Sequence, residues 1–158
     1  MNSSKQEKYL IIETKLEELF STNKNLSITA QMASVSSAIK KEFREFTFVG
    51  FYIVVENDIL EVGPYVSEIL AVPRIEYGKG VCGFCWEQKQ SQIVNNVSKC
   101  NNYIACSPDV LSEIVLPVFN TKKEVIAVLD IDSNILDRFD EVDCQNLERL
   151  LSKYCLSV

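Results

Sequence analysis

The spacing of the apolar residues changes twice along this chain, and these changes limit the folds that it can adopt. Up to residue 43, apolar side chains recur every three or four positions, which is the period of amphipathic helices. From Phe46 to residue 131 they form short runs rich in aromatic and β-branched residues, which are typical of strands. The helical period returns after Asp140. This order predicts an α+β fold of two helices, about six strands and a closing helix.

The boundaries follow from turn and capping residues. We expect helices over residues 5–21 and 27–43, a short helix over residues 84–89, and a closing helix that Asp140 caps and whose apolar face includes Val142. The expected strands are 46–55, 59–62, 68–75, 91–94, 113–119 and 124–131. Gly63-Pro64 should end the second strand, and Pro73 places the third at an edge or a bulge. The last two strands, which are largely apolar, are expected to form the centre of the sheet.

Size and composition exclude several classes of function. The chain has 158 residues, of which 47% are hydrophobic. We therefore expect residues 1–158 to form a single domain with a full core. A net charge of −6 without a basic run argues against nucleic acid or an anionic membrane surface as a partner. No apolar stretch approaches the roughly 20 residues that span a bilayer. The N-terminal residues lack the pattern of a signal peptide, so a reduced, cytoplasmic chain is expected.

The absence of histidine directs attention to the six cysteines. Without histidine there is no Cys-His or Ser-His nucleophile, so acid and base chemistry falls to carboxylates, tyrosines or thiols. Cys82 follows Lys79 and lies among Gly78, Gly80 and Gly83 near the start of the short helix, where a helix N-terminus and a cation lower a thiol pKa. Packing in a turn is the alternative role for Cys82. Cys106, in the long segment before Pro108, has less reason to be a packing residue, whereas Cys144 and Cys155 are expected to pack.

A metal site built on the cysteines is disfavoured. Cys82 and Cys85 form a C-x-x-C that, together with Cys100 and Cys106, resembles a four-cysteine zinc site. The second pair is separated by five residues instead of the usual two to four, and no histidine can substitute. We therefore predict no metal.

Three carboxylates lie in the most apolar part of the chain. They are Glu113, Asp130 and Asp132. Strand alternation places Asp130 and Asp132 on one face of the sheet, about 7 Å apart. Burial raises a carboxyl pKa until the group can donate a proton near neutral pH. The alternative for Asp132 is that it begins a turn.

Several motifs in fixed order resemble those of one enzyme family. They are G-K-G-V-C-G at 78–83, I-A-C at 104–106 with its cysteine 24 residues after Cys82, S-E-I-V at 112–115, V-L-D-I-D-S at 128–133 and F-D-E at 139–141. The series resembles the free methionine-(R)-sulfoxide reductases, which are built on a GAF domain. The resemblance implies an α/β/α sandwich with a central antiparallel sheet of about six strands, two N-terminal helices and one C-terminal helix packed on it, and an active-site loop between Asn95 and Leu111.

The resemblance also implies a reaction, namely reduction of free L-methionine-(R)-sulfoxide to methionine without a cofactor, with thioredoxin as the reductant. Cys106 would attack the sulfoxide sulfur, while Glu113, Asp130 and Asp132 would hold the substrate ammonium and help to protonate the departing oxygen. The resulting sulfenic acid condenses with a second thiol to a reducible disulfide. The implied substrate-binding residues are Phe48, Tyr52, Tyr103, Ile104, Ala105 and Ser107.

This chain departs from the family pattern at several positions. The family usually carries a third cysteine, often the resolving thiol, where this chain has Val72. Cys82 then becomes the first candidate for the resolving thiol, with Cys85 and Cys100 as alternatives. The binding region differs as well, with Phe48 in place of tryptophan, Tyr103 in place of histidine and Ser107 in place of aspartate.

Two other functions use the same residues. One is a catalytically silent GAF module that binds a small amino-acid-like ligand, and the other is a sensor whose Cys82 or Cys106 is oxidised by peroxide. Homodimerisation through the N-terminal helices is a further expectation, although their apolar stripes can equally pack on the chain's own sheet.

Overall fold

The computed structural model describes residues 4–56, 58–101, 103–104 and 107–155. Its α-helices are α1 (Lys5–Thr22), α2 (Ile28–Glu42), α3 (Gly80–Gln88) and α4 (Glu141–Tyr154). Its strands are β1 (Phe46–Val55), β2 (Ile59–Ser67), β3 (Arg74–Glu76), β4 (Gln92–Val94), β5 (Ser112–Phe119) and β6 (Val125–Ser133). A single turn of 3₁₀ helix, Val97–Lys99, follows β4. None of the described helices is both long and apolar enough to cross a membrane.

The six strands form one antiparallel sheet in the order β3-β2-β1-β6-β5-β4. Strand alternation divides its apolar side chains between two clusters. One cluster lies beneath α1, α2 and α4 and includes Tyr9, Leu129 and Leu147. The other cluster lies beneath α3 and includes Phe48 and Cys85. The predicted α/β/α arrangement with a six-stranded sheet is therefore confirmed.

The second and third strands differ from their predicted limits. β2 continues to Ser67 instead of ending at Gly63-Pro64, because the register against β1 shifts there. Such a shift is a β-bulge, and a bulge tolerates proline because an unpaired position needs no backbone donor. β3 begins only at Arg74, after Pro73, and it forms an edge of the sheet.

Two further expectations are corrected by the packing. The centre of the sheet is the β1–β6 pair, whereas β5 lies one strand further out, between β6 and β4. β5 is apolar because helices cover both of its faces, so apolarity alone did not reveal its place in the order. Val142 was expected on the apolar face of the closing helix, but it is 39% exposed, since it lies in the first turn of α4 at the edge of the apolar stripe.

A buried carboxylate on α4 joins the N-terminal helix to the rest of the domain. Asp143 is fully buried, and its carboxylate accepts hydrogen bonds from Lys5 Nζ at 2.5 Å and from the Tyr9 hydroxyl at 2.8 Å. Arg138 lies 3.6 Å away as a second cation, and the Asp140 amide donates at 3.0 Å. The negative charge is thus compensated by two cations, as a buried charge requires.

Replacing Asp143 with asparagine is expected to destabilise the protein. The Asp143→Asn side chain has nearly the same shape but loses its charge, so the bonds from Lys5 and Arg138 weaken. Hydrogen bonds to charged groups contribute about 1.5–3 kcal/mol each, and we expect the free energy of unfolding to fall by about 2 kcal/mol or more. Urea denaturation measures this. The control is Glu61→Gln, which removes the exposed pair with Arg74 and should change stability by less than about 1 kcal/mol.

Candidate active site

The register of the neighbouring strands β1, β6 and β5 assembles the acidic side chains. Glu113 on β5 lies directly opposite Asp132 on β6, and the next position of β6 on the same face is Asp130. On the other side of β6, Asp130 pairs with Gly50 and Asp132 pairs with Phe48 of β1. The predicted placement of the two aspartates on one face is confirmed, and Asp132 belongs to the strand and does not begin a turn. Like charges placed directly opposite each other are unfavourable, so this arrangement is not a device for stability.

Helix α3 brings a thiol to these carboxyl groups. Gly78 and Gly80 have φ values of 72° and 59°, a region that favours glycine, and the chain there turns from β3 into the helix. Cys82 is the third residue of α3. Its sulfur and carboxylate oxygens of Glu113 and Asp130 all lie within 4.8 Å of one another. The predicted combination of thiol and acids is therefore present on the α3 side of the sheet.

These groups line a small cavity between α3 and the sheet. Its volume is about 10 Å³, close to the least that holds one water molecule. Its lining consists of Ile75, Gly80, Val81, Cys82, Ile104, Glu113, Asp130 and Asp132. Ile104 lines it from the long loop, and a Cβ atom on Gly80 would lie 3.1 Å from the Ile104 side chain. In this state the cavity has room for about one water molecule.

Gly83 holds α3 against the turn that precedes it. A Cβ atom at this position would lie 2.5 Å from the Glu76 carbonyl oxygen and 3.0 Å from the Gly78 amide nitrogen, both of which are backbone atoms. Gly83→Ala is therefore expected to push α3 outward and to lower the free energy of unfolding by about 1–3 kcal/mol. Denaturation in urea measures the loss, and unchanged stability would mean that the backbone here adapts freely. Helix propensity alone would make alanine stabilising at this position, so the sign of the change in the free energy of unfolding distinguishes packing from propensity.

The three carboxyl groups are deeply buried. Glu113, Asp130 and Asp132 are 4%, 3% and 2% exposed. Among the described residues, no lysine or arginine forms an ion pair with Asp130 or Asp132. Burial raises the pKa of Asp130 to about 7, partly offset by hydrogen bonds with Glu113 and Cys82. Burial, and then the charge of Asp130, raises the pKa of Asp132 well above its ordinary value. Protonated carboxyl groups are thus available near neutral pH.

The thiol pKa of Cys82 contradicts the sequence expectation. Its position in the first turn of α3 and the nearby Lys79 led us to expect a lowered pKa. Instead, burial raises the pKa of Cys82 well above its usual range, and the charges of Asp130, Glu113 and Asp132 raise it further. Desolvation and like-charge repulsion outweigh the helix N-terminus. Cys82 is therefore a protonated thiol that needs a base before it can react.

An aromatic wall lies beside the acidic cluster. Phe48 is fully buried and stacks on Tyr65 with ring centroids 5.4 Å apart, and on Tyr52 at 6.3 Å. The absence of a side chain at Gly50 makes room for this packing, because a Cβ there would collide with Tyr65 and the Phe48 ring. Phe48 and Tyr52 thus adjoin the site without lining the small cavity.

The predicted loop residues are not all brought to the cavity. Ile104 lines it, whereas Tyr103 packs against the Phe48 cluster and lines an outer groove together with Cys100. Ser107 lines a different depression, beside Val110 and Thr47. Cys106 and Ala105 lie outside the described residues.

The remaining cysteines occupy different surroundings. Cys85 is fully buried, and Cβ atoms three residues apart on a helix are about 5–6 Å apart, farther than the roughly 3.5–4.5 Å of a disulfide. Cys82 and Cys85 therefore cannot pair with each other unless the first turn of α3 unwinds. Cys144 and Cys155 are buried in the core, which confirms the predicted packing role. Val72 is half-buried against the α3 side of the core.

Sequence reasoning missed the cavity residues that carry no reactive group. Ile75 and Val81 line the cavity, and Gly50 pairs with Asp130, yet none was singled out from the sequence. Their roles depend on strand register and on the approach of α3, which local patterns do not encode. The one available signal was that Gly50 interrupts an otherwise bulky strand, since glycine in a strand often marks a close approach.

Comparison with known proteins places the chain in a family. The GAF domain model matches residues 27–154. GAF domain-containing protein A of Dictyostelium discoideum is 41% identical over 94% of this chain and 90% of its own length. Free methionine-R-sulfoxide reductase of Escherichia coli K12 is 37% identical over 80% of this chain and 75% of its own length.

Solved structures agree with the sequence comparison. The free methionine-R-sulfoxide reductase of Neisseria meningitidis, crystallised in complex with its substrate, superposes with a TM-score of 0.90 at 33% identity. The superposition covers 98% of this chain and 90% of that protein. The chain therefore belongs to the GAF domain family and, within it, to the free methionine-R-sulfoxide reductases.

Proposed function

We propose that this protein reduces free L-methionine-(R)-sulfoxide to methionine by thiol chemistry. The observation that carries the proposal is the buried cluster of Cys82, Glu113 and Asp130, which joins a thiol to two carboxyl groups in a protein of this family. Similarity to the E. coli and N. meningitidis enzymes supports the same reaction and does not favour a silent ligand-binding module.

Proton delivery to the sulfoxide oxygen is the task of the carboxyl cluster. The sulfoxide oxygen is a poor leaving group until it is protonated, and a carboxyl group with a pKa of about 7, such as Asp130, can donate that proton at neutral pH. The Cys106 thiol releases its proton to solvent and attacks the sulfoxide sulfur as a thiolate. The protonated oxygen then passes to the Cys106 sulfur as its bond to the methionine sulfur breaks, so that methionine departs reduced and Cys106 is oxidised to a sulfenic acid. Glu113 and Asp132 hold the substrate ammonium, whose positive charge compensates the acids.

The second half of the cycle uses Cys82 as the resolving thiol. After giving up its proton, Asp130 is a carboxylate hydrogen-bonded to the protonated Cys82 thiol, and it can take the proton of that thiol. The Cys82 sulfur then displaces water from the sulfenic acid, forming a disulfide with Cys106. A dithiol reductant, for which we propose cytoplasmic thioredoxin, restores both thiols. Cys85 and Cys100 are the alternative resolving residues.

Substrate entry requires movement, because a cavity of about 10 Å³ holds one water molecule and not an amino acid. Withdrawal of Ile104 from Gly80 would join the cavity to the outer groove that Tyr103 and Cys100 line. The stacked Phe48 and Tyr52 rings then provide an apolar surface for the substrate side chain. We include Tyr103, Ile104, Ala105 and Ser107 among the substrate-binding residues.

A coupled assay tests the proposal. The protein is mixed with thioredoxin, thioredoxin reductase and NADPH, and the oxidation of NADPH is followed with free methionine sulfoxide separated into its R and S forms. Turnover of the free R form is expected, with little turnover of the S form or of a peptide containing methionine sulfoxide. Thiol loss with peroxide but none with the R form would instead identify a peroxide sensor.

Homodimerisation stays a prediction. On α1, the stripe of Tyr9, Ile12 and Leu16 is buried within the chain's own core. Leu10 and Leu19 on the other side of the helix are 60% and 40% exposed. Sedimentation equilibrium of the full chain measures its mass in solution, and a monomer at micromolar concentration would contradict the prediction.

A further inference from the structure

The buried cluster has the donor atoms of a metal site in addition to those of a reductase. The Cys82 sulfur and one carboxylate oxygen each from Glu113 and Asp130 lie within 4.8 Å of one another, and all three residues are buried. Asp130 Oδ1 is buried and has no hydrogen-bond donor in the described part of the chain. Asp130 lines the cavity with these partners, so an unsatisfied oxygen coincides with a space for a small ligand.

We propose that Cys82, Glu113 and Asp130 form a binding site for a divalent cation of the zinc class, and that the bound ion inhibits the reductase. This goes beyond the proposed reaction, which needs no metal. The donor set also differs from the four-cysteine arrangement considered from the sequence, because it combines one thiolate with two carboxylates.

The geometry is compatible with a zinc ion. Bonds of about 2.3 Å to sulfur and about 2.0–2.2 Å to oxygen place the ligand atoms of a tetrahedral ion about 3.5 Å apart. The three donor atoms are within 4.8 Å of one another, so side-chain rotations that shorten these separations by little more than 1 Å suffice. The cavity holds one water molecule, and that space accommodates the ion. Asp132 or water completes four ligands.

The negative charge of the buried acids also favours a bound cation. The described residues supply no lysine or arginine that pairs with Asp130 or Asp132, so the buried negative charge is uncompensated unless protons or a cation bind. A divalent ion displaces those protons and binds the deprotonated forms. Thiolate ligands select zinc over magnesium and calcium, which prefer oxygen ligands alone.

Metal binding and catalysis exclude each other at this site. A coordinated Cys82 thiolate is not free to resolve a sulfenic acid, and coordinated Glu113 and Asp130 hold neither a proton nor the substrate ammonium. Zinc should therefore slow turnover, and substrate should weaken zinc binding by competition.

Cobalt(II) is the spectroscopic probe for the test, with the fully reduced protein under nitrogen. Thiolate coordination gives an intense sulfur-to-cobalt charge-transfer band, which should saturate at one ion per chain and disappear when zinc is added. Cys82→Ser should abolish the band, and Asp130→Asn should weaken cobalt binding at least tenfold. The control is Cys144→Ser, which removes a buried thiol on α4 that is not in the cluster and should leave the band unchanged.

A second measurement needs no variant. Alkylation of wild-type thiols followed by mass spectrometry should show that zinc protects Cys82 and leaves the rate at Cys100 unchanged. The proposal is overturned if no charge-transfer band saturates, if the band persists in Cys82→Ser, or if zinc protects other cysteines but not Cys82.

Discussion

Replacing Cys106 with serine is expected to abolish reduction of free methionine-(R)-sulfoxide, with a loss of at least about 10³-fold in kcat. A serine hydroxyl has no nearby histidine to activate it in a chain without histidine, so it cannot replace a thiolate as nucleophile. Methionine formation is measured by chromatography both in a single turnover without reductant and in steady state with thioredoxin. Cys106→Ser should fail in both experiments.

The matched variant is Cys82→Ser, which should separate the attack of Cys106 on the sulfoxide from the later formation of the disulfide. With Cys106 intact, one equivalent of methionine should form in a single turnover, and a sulfenic acid should accumulate that a dimedone probe traps. Steady-state turnover with thioredoxin should then fall by at least about tenfold. Full turnover in Cys82→Ser would assign resolution to Cys85 or Cys100, and loss of the single turnover would show that Cys82 takes part in the attack.

The expected role of Cys82 also shows what the sequence could predict about this site. Carboxylates within apolar strand segments identified Glu113, Asp130 and Asp132, because such charges are unfavourable there unless they have a function. The side-chain period of two placed both aspartates on one face. The position of Cys82 near the start of α3 was predicted correctly. The direction of its pKa shift was predicted wrongly, because the three acids that face it lie on β5 and β6, far from it in the sequence. Local sequence identified the groups but not their mutual electrostatic effects.

For the fold as well, the sequence predicted the local elements better than the pairing between distant segments. The helical periods located α1 and α2 to within one residue at each end, and the cap at Asp140 located the start of α4, because amphipathic spacing and capping are local properties. The limits of β2 failed at Pro64, because proline ends a regular strand yet fits a bulge, and a bulge depends on the partner strand. The central position of β1 likewise depends on pairing between distant segments, which the order of elements along the chain does not specify.

Replacing Asp130 with asparagine is expected to lower kcat/KM by about 10²–10⁴-fold, because the proton for the sulfoxide oxygen is lost. The wild type should also lose activity as the pH rises through about 7, where Asp130 gives up its proton. The rate is measured from pH 5.5 to 9 with a chemical dithiol as reductant, so that thioredoxin reductase does not shape the profile. Wild-type activity that stays constant from pH 6 to 9 would show that Asp130 is not the proton donor.

The same substitution should make the protein more stable at alkaline pH. Asp130 keeps its proton up to about pH 7 in the folded chain, mainly through burial, whereas in the unfolded chain it ionises near its ordinary pKa of about 3.9. The folded state therefore holds an extra proton between these values, so stability falls as the pH rises through this window and levels off above it.

The groups that face Asp130 do not reverse this sign. Among the described residues they are Glu113 on β5, Cys82 and Cys85 on α3, and Asp132 on its own strand, none of which carries a positive charge. The resulting loss is on the order of 4 kcal/mol by pH 8, and Asp130→Asn, which never ionises, should recover much of it in urea denaturation. Asp143→Asn is the matched comparison, because the same change at a carboxylate paired with Lys5 and Arg138 should destabilise the protein at that pH. If both substitutions destabilise at pH 8, burial of the Asp130 charge is not what raises its pKa, and its proton must instead be held by a specific hydrogen bond.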